Sequence, residues 1–119
     1  MSTLVTVRAY LNSTYGPHGV PIGMLSGYEP GHELELAFEA TVAAAPDLAI
    51  CEETFRLLNV GDDPEFGLPD LRALAYRAQG HRSLSVGDLV TVEDRAYACA
   101  RVGFVAVALP SQSPDATAL

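Results

Sequence analysis

Three apolar runs lie close together near the end of the chain, at residues 84–92, 96–100 and 102–108. The polar segment Glu93-Asp94-Arg95 lies between the first two runs, and Arg101, close to Gly103, lies between the last two. Apolar runs of this length with brief polar breaks are typical of strands joined by tight hairpins. The pattern therefore predicts an antiparallel meander with Glu93-Asp94 as a hairpin turn.

Two more strands are predicted nearer the N-terminus. Residues 4–11 alternate Val5, Val7 and Ala9 with polar and aromatic side chains, which suits a half-buried strand. Residues 33–42 alternate with a cleaner period of two. Their first set is Leu34, Leu36, Phe38 and Ala40. Their second set is Glu33, Glu35, Ala37 and Glu39, and we expect its acids to face water.

Helical spacing appears twice. After Pro46, Asp47 is placed to cap the first turn of a helix. The predicted core-facing residues of this helix are Leu48, Cys51, Phe55 and Leu58. A second short helix is expected between Pro69 and Gly80. Its apolar residues are Leu71, Leu74, Ala75 and Ala78.

Residues 12–31 contain eight glycines and prolines, too many for a regular element. We expect a long loop there, with a short strand at residues 20–25. The length of the chain favours one hydrophobic core. The predicted fold is therefore one α+β domain in residues 1–109, with a small antiparallel, partly barrel-like sheet and one or two helices packed on it. Residues 110–119 are predicted to form a flexible C-terminal tail.

Charge is distributed unevenly along the chain, whose formal net charge is -8. Residues 28–66 contain ten acids and one base, whereas residues 67–119 contain five of each. An acidic surface repels phosphate backbones and attracts basic proteins, which disfavours direct nucleic-acid binding. No apolar run approaches the roughly 20 residues that span a bilayer, and the N-terminus lacks a secretory pattern. We therefore expect a cytoplasmic protein with no membrane partner.

No arrangement of reactive side chains points to catalysis. His18, His32 and His81 fall in predicted loops at spacings that match no zinc pattern. Cys51 and Cys99 fall on predicted buried faces, where thiols are inert, and a disulfide is not expected without export. We predict no metal, no cofactor and no enzymatic activity.

The most distinctive local sequence is Arg82-Ser83-Leu84-Ser85-Val86-Gly87-Asp88-Leu89-Val90. Its Gly-Asp pair is typical of a turn that enters a strand, because Gly accepts a positive φ and Asp bonds the turn backbone. With Phe55-Arg56-Leu57-Leu58-Asn59, Tyr97 and Gly103-Phe104, the block resembles the YodL-like domain family over residues 55–104. Residues 65–79 are an insertion relative to the spacing expected in that family. The resemblance implies an accessory domain of mobile-element proteins without an established enzymatic activity.

These observations favour a non-enzymatic accessory protein of a bacterial or phage-like mobile element that binds another protein through an acidic surface. The acidic binding candidates are Glu33, Glu35, Glu39, Glu52 and Glu53. The candidates that match the family pattern are Arg82, Ser83, Ser85, Asp88 and Tyr97. The alternating strand at residues 33–42 is also suited to edge-to-edge pairing into a homodimer.

Other functions compete with this interpretation. A small barrel-like domain, faintly similar to ASCH and PUA barrels, would bind nucleic acid through clustered arginines. Those arginines are Arg72, Arg77, Arg82, Arg95 and Arg101. A nucleic-acid mimic, which inhibits a nucleic-acid-binding protein, requires carboxylates at roughly phosphate intervals along one surface. An enzyme would use residues 12–31 as a lid over Glu33 or Glu35, with a concave pocket beneath it.

Overall fold

A computed structural model describes residues 3–110 of the chain. Its strands are β1 (Leu4–Asn12), β2 (Leu34–Ala43), β3 (Leu89–Val92), β4 (Arg95–Cys99) and β5 (Phe104–Val107). They form one sheet in the order β2-β1-β3-β4-β5, and every neighbouring pair is antiparallel. The predicted antiparallel α+β fold is confirmed. The sheet is open, with β2 and β5 at its edges, and is not closed into a barrel.

The described helices are α1 (Ile22–Ser26), α2 (Asp47–Val60) and α3 (Leu71–Ala78). Short 3-10 turns lie at Pro17–Gly19 and Pro64–Phe66. The two predicted helices, α2 and α3, are confirmed. The short strand predicted at residues 20–25 is wrong, because Pro21 leads into α1 and Gly27, with φ of 86°, ends it.

The meander forms as predicted, with a two-residue turn at Glu93-Asp94 between the paired residues Val92 and Arg95. The first strand of the meander is shorter than predicted, since β3 begins only at Leu89. Gly87 takes a φ of 95° just before it, and this positive φ interrupts the extended backbone.

The main core lies between α2 and one face of the sheet. Ile50, Cys51, Leu57 and Leu58 are buried on α2, and they pack in one cluster with sheet residues such as Val90. Cys51 was predicted to face this core and does so. Burying these apolar side chains is the dominant favourable term that holds α2 on the sheet.

The start of α2 differs from the prediction in two respects. Pro46 occupies the N-cap position, and Asp47 makes no cap hydrogen bond. The Asp47 carboxylate instead accepts hydrogen bonds from Arg95 and Tyr97 on β4. Leu48 is exposed, whereas Ile50 and Thr54 are buried. The buried side of α2 is therefore turned toward Ile50 and away from Leu48.

A β-bulge at Ala37 reverses the alternation of β2. Ala9 of β1 pairs with Phe38 and the next residue, Tyr10, pairs with Leu36, which leaves Ala37 without an opposite residue. Residues directly opposite each other share a sheet face. Phe38 therefore lies on the helix-covered face, whereas Leu36 lies on the other face. The prediction that Leu34, Leu36, Phe38 and Ala40 share one face is wrong.

A second, smaller cluster covers the opposite sheet face. It contains Tyr10 and Leu89, and Tyr28 from the segment between β1 and β2 packs against it. The segment at residues 13–33 is thus an ordered part of the fold. Pro110 is buried, and the rest of the predicted tail, residues 111–119, lies outside the described residues.

Candidate functional site

A buried ion pair joins two of the predicted binding residues, Arg82 and Asp88. The Arg82 guanidinium donates to both Asp88 carboxylate oxygens, over 2.6 and 2.8 Å. The same carboxylate also accepts from the backbone N–H groups of Asn12 and Ser85. Asp88 is 1% exposed, so its charge depends on these donors for solvation. The pair holds residues 82–88 against the end of β1.

The Asn12 side chain extends this network to the segment between β1 and β2, residues 13–33, which we call the glycine-rich segment. Its Nδ2 group lies 3.1 Å from the Gly87 carbonyl, to which it donates, and 2.9 Å from His32 Nδ1. Its Oδ1 atom accepts from the Thr14 N–H group. Asn12 and His32 are both buried. One amide thus connects the turn before β3 with both ends of the segment between β1 and β2.

The blocks at residues 55–59 and 82–90 bond each other directly. Asn59 at the end of α2 donates to the Leu84 carbonyl and accepts from the Leu84 N–H group, at 3.0 and 2.7 Å. Ser83 accepts a hydrogen bond from Arg77. Ser85 lies beside the ion pair, 3.3 Å from Arg82. These contacts give the matching residues a structural role in joining α2 to the turn before β3.

Tyr97 belongs to a separate cluster at the start of α2. Its hydroxyl donates to Asp47, which also accepts from Arg95. Hydrogen bonds from Arg95 and then from Tyr97 lower the pKa of the Asp47 carboxyl below its usual value. Asp47 therefore stays ionised and ties α2 to the hairpin between β3 and β4.

The five acidic candidates do not form one surface. Since Glu35 lies opposite Leu11 and Glu39 lies opposite Arg8, the bulge places these two acids on opposite sheet faces. Glu39 pairs with Arg8, and Glu53 pairs with Arg56. Glu33 and Glu52 are exposed, as is Glu35, and none of the three has an ion pair within residues 3–110. The arrangement does not provide the single line of carboxylates that a nucleic-acid mimic requires.

Four of the five arginines that would contact nucleic acid are already ion-paired. Their partners are Asp70 for Arg72, Asp62 for Arg77, Asp88 for Arg82 and Asp47 for Arg95. In the described part of the chain only Arg101 of this set lacks an ion pair. Arg95 lies at the hairpin after β3, far along the chain from Arg72 on α3. The unpaired arginine cluster that the nucleic-acid hypothesis requires is absent from residues 3–110.

The reactive side chains lie apart from any concave surface with paired acids. Cys51 and Cys99 are both buried and free. Burial raises the pKa of Cys51 to about 12 and that of Cys99 to about 11, so both are protonated thiols at neutral pH. Residues 3–110 contain no group of three or more His, Cys, Asp or Glu side chains placed to hold a metal ion.

Concave surfaces next to the glycine-rich segment do not contain the proposed catalytic carboxylates. One of about 360 Å³ lies between Tyr28 and Val105. Another of about 210 Å³ lies between Pro30 and Leu109. Glu33 and Glu35 line neither and are exposed. Within the described residues, the segment is therefore not a lid over either acid.

The outward face of α3 carries the apolar residues whose spacing predicted the helix. Leu71, Leu74, Ala75 and Ala78 are all exposed. Ala73 and Tyr76 are buried instead. The helix has apolar residues on two faces, and the aromatic Tyr76 was the available signal for the buried one. Leu71 is 80% exposed, and the preceding residues Phe66 and Leu68 are 62% and 98% exposed.

A groove connects this helix with the edge of the sheet. Phe38 of β2 and Ala75 and Tyr76 of α3 line a space of about 400 Å³ that extends along the β2 edge to Leu36. Glu35 lies close enough to Tyr76 to contribute, after burial and Asp88, to raising the pKa of its hydroxyl to about 12. Asp63 and Glu65, which have no ion pair among the described residues, precede the exposed Phe66. A free carboxylate thus lies near Tyr76 in the groove, and two more lie just before Phe66 in the chain.

We compared the chain with protein-family models, curated proteins and solved structures, and none of the three comparisons finds a match. Among residues 3–110, no helix has both the length and the apolar character that a membrane crossing requires.

Proposed function

We propose that this domain is a non-enzymatic protein-binding module whose docking surface is the outward side of α3. The docking surface comprises the exposed apolar residues Phe66, Leu68, Leu71 and Leu74, the groove that reaches Leu36, and four acids: Glu35 near Tyr76, Glu33 two residues before it, and Asp63 and Glu65 just before Phe66. The observation that carries the proposal is the apolar outward face of α3, since exposed apolar patches often mark interaction sites.

Charge favours one kind of partner. Within residues 3–110, all arginines except Arg101 take part in ion pairs with acids of the same chain. The excess acids thus remain available at the surface, and Asp63 and Glu65 lie just before the exposed Phe66. A partner with an apolar centre and basic flanking residues complements this arrangement in both respects. The mobile-element setting rests only on the resemblance to the YodL-like family.

The experiment is affinity capture from a bacterial lysate that has been treated with nuclease, with Leu71→Ser as the test variant. Leu48→Ser is the matched control, because Leu48 is also an exposed leucine near the start of a helix but lies on α2. We expect a protein that wild type and Leu48→Ser retain and that Leu71→Ser loses. The docking surface is wrong if the same proteins bind all three, or if only nucleic acid is recovered without nuclease.

A second pair of variants tests the charge. Glu33→Gln with Glu35→Gln removes the free carboxylate near Tyr76 and the one two residues before it, whereas Glu93→Gln removes one exposed carboxylate at the hairpin after β3. We expect the first variant to weaken capture and to reduce its sensitivity to salt, and the second to change neither. Equal salt sensitivity in all variants would show that these acids do not contact the partner.

A further inference from the structure

The two edges of the sheet differ in their protection. β2 carries Glu35 and Glu39 and contains the bulge at Ala37, features that discourage pairing with another strand. β5 consists of Phe104, Val105, Ala106 and Val107, pairs with β4 in continuous register, and contains no charge, proline or bulge. Within the described residues, the four-residue β5 is thus the edge that lacks charges, proline and a bulge.

The direction of the peptide groups on β5 follows from the neighbouring strand. Cys99 N–H donates to the Asp88 carbonyl, so Cys99 and Tyr97 direct their peptide groups toward β3. The peptide groups of Ala98 and Ala100 therefore point toward β5. In agreement, the Ala100 N–H group donates to the Gly103 carbonyl. Since Ala98 pairs with Val105, the peptide groups of Phe104 and Ala106 point away from the sheet.

We propose that the free edge of β5 pairs antiparallel with β5 of a second copy of this chain, with the two-fold axis at Ala106. The proposal is independent of the proposed function, because it uses the opposite edge of the sheet from the groove beside Leu36. It also replaces the expected homodimer through residues 33–42 with one through β5.

The sequence of β5 is complementary to itself in this register. Residues opposite each other share a sheet face, so the two-fold axis of a symmetric antiparallel pair must pass beside a residue and not between two residues. With the axis at Ala106, this residue lies opposite Ala106 of the second copy. Val105 lies opposite Val107, a favourable β-branched pair, and the large Phe104 lies opposite the small Ala108. Val105 is 56% exposed in the single chain.

Electrostatics favours β5 over β2 as the edge at which two copies of the chain pair. A chain with a net charge of -8 repels its own copies over most of its surface. Pairing through β5 brings no charged side chain opposite another, whereas pairing through β2 would bring the edge with Glu35 and Glu39 against itself. The uncharged β5 edge is therefore the place where two copies approach at the lowest electrostatic cost.

The test is sedimentation equilibrium of the full chain, from about 10 µM to about 500 µM, a range that detects dissociation constants near the middle of it. We expect a mass approaching twice the chain mass of 12.6 kDa at the upper end. Ala106→Arg places two like charges opposite each other, and Ala106→Pro removes an N–H group that no hydrogen bond within residues 3–110 uses. Each variant should weaken the dimer at least about tenfold.

Thr41→Arg is the matched control, because it adds the same charge to an exposed position on the other edge strand. We expect it to leave the dimer unchanged, and circular dichroism should show that all variants are folded. Hydrogen exchange of wild type should show protection of the Ala106 amide that increases with concentration. The proposal is overturned if wild type stays monomeric throughout, or if Thr41→Arg dissociates the dimer while the Ala106 variants do not.

Discussion

Replacing Asp88 by asparagine tests whether the buried ion pair holds the end of β1 to residues 82–88. The carboxylate accepts from two Arg82 nitrogens and from the N–H groups of Asn12 and Ser85. Asparagine keeps the volume but removes the charge, and its amide nitrogen must then face donors. Breaking a buried pair costs about 3–5 kcal/mol. Because the Arg82 side chain is 33% exposed and partly solvated, we expect a loss of about 2–3 kcal/mol in unfolding free energy.

The assay is urea unfolding followed by circular dichroism, which yields the unfolding free energy of each variant. Glu53→Gln makes the same chemical change in an exposed pair with Arg56 and should lose less than about 1 kcal/mol. Arg82→Met should lose at least as much as Asp88→Asn, because it leaves the Asp88 carboxylate buried without its cation. Equal losses in Asp88→Asn and Glu53→Gln would refute the assignment of the network as a structural clamp.

Three further predictions concern backbone conformation, thiols and pH. Gly87→Ala should lower the thermal unfolding midpoint far more than Gly80→Ala, although both glycines have a positive φ. A Cβ atom at position 87 would lie 2.6 Å from the backbone oxygen of Gly23, whereas a Cβ atom at position 80 would contact nothing within 4 Å. Equal shifts would contradict this contact. Cys51 and Cys99 should react with a disulfide reagent at pH 8 only in denaturant, since burial raises their pKa values to about 12 and about 11, and rapid reaction of the native protein would be inconsistent with that burial. Hydrogen bonds from Arg72 lower the pKa of Asp70, the cap of α3, to about 2 from a usual value of 3.8. A lowered carboxyl pKa stabilises the folded state at pH values above the usual pKa, and this stabilisation is lost as pH falls toward the lowered pKa. Asp70→Ala should therefore reduce the unfolding free energy by about 1 kcal/mol at pH 5 and by progressively less as pH falls toward 2. A cost that stays constant over this range in pH-dependent unfolding would argue against the assignment.

The elements that sequence reasoning located best are those with local causes. The hairpin at Glu93-Asp94, the strand at Leu4–Asn12 and the helix at Asp47–Val60 follow from apolar spacing and from polar or proline boundaries. The burial of Cys51 followed from the same spacing. These features depend on residues within a few positions of each other, so the linear pattern contains the relevant interactions.

The face of β2 was misassigned, and the buried face of α3 was not predicted, because their sequence patterns allow more than one arrangement. A single bulge at Ala37 reverses one half of β2, and no residue in the alternating pattern of 33–42 marks it. On α3, both the Leu71 side and the Tyr76 side are apolar, and packing against α2 and the sheet selected the latter. The acids of residues 33–39 were consequently assigned to one surface that the bulge divides.

The binding residues suggested by the Arg82–Val90 block took structural roles for a related reason. From the sequence alone, charged residues are expected at the surface. The Asp88 carboxylate is instead enclosed by the N–H groups of Asn12 and Ser85 and by the Arg82 guanidinium. The contact between Asn12 and Asp88 spans most of the chain. No periodicity or spacing could predict it.

The sequence by itself determined an acidic α+β chain with an antiparallel meander and two packed helices, because alternation and helical spacing express local backbone preference and burial. Only the tertiary structure decided which apolar surfaces stay exposed: the outward side of α3 and the uncharged edge of β5. The physical reason is that contacts between residues far apart in the chain determine which apolar faces are buried in the core. The apolar faces that are not buried by these contacts stay exposed.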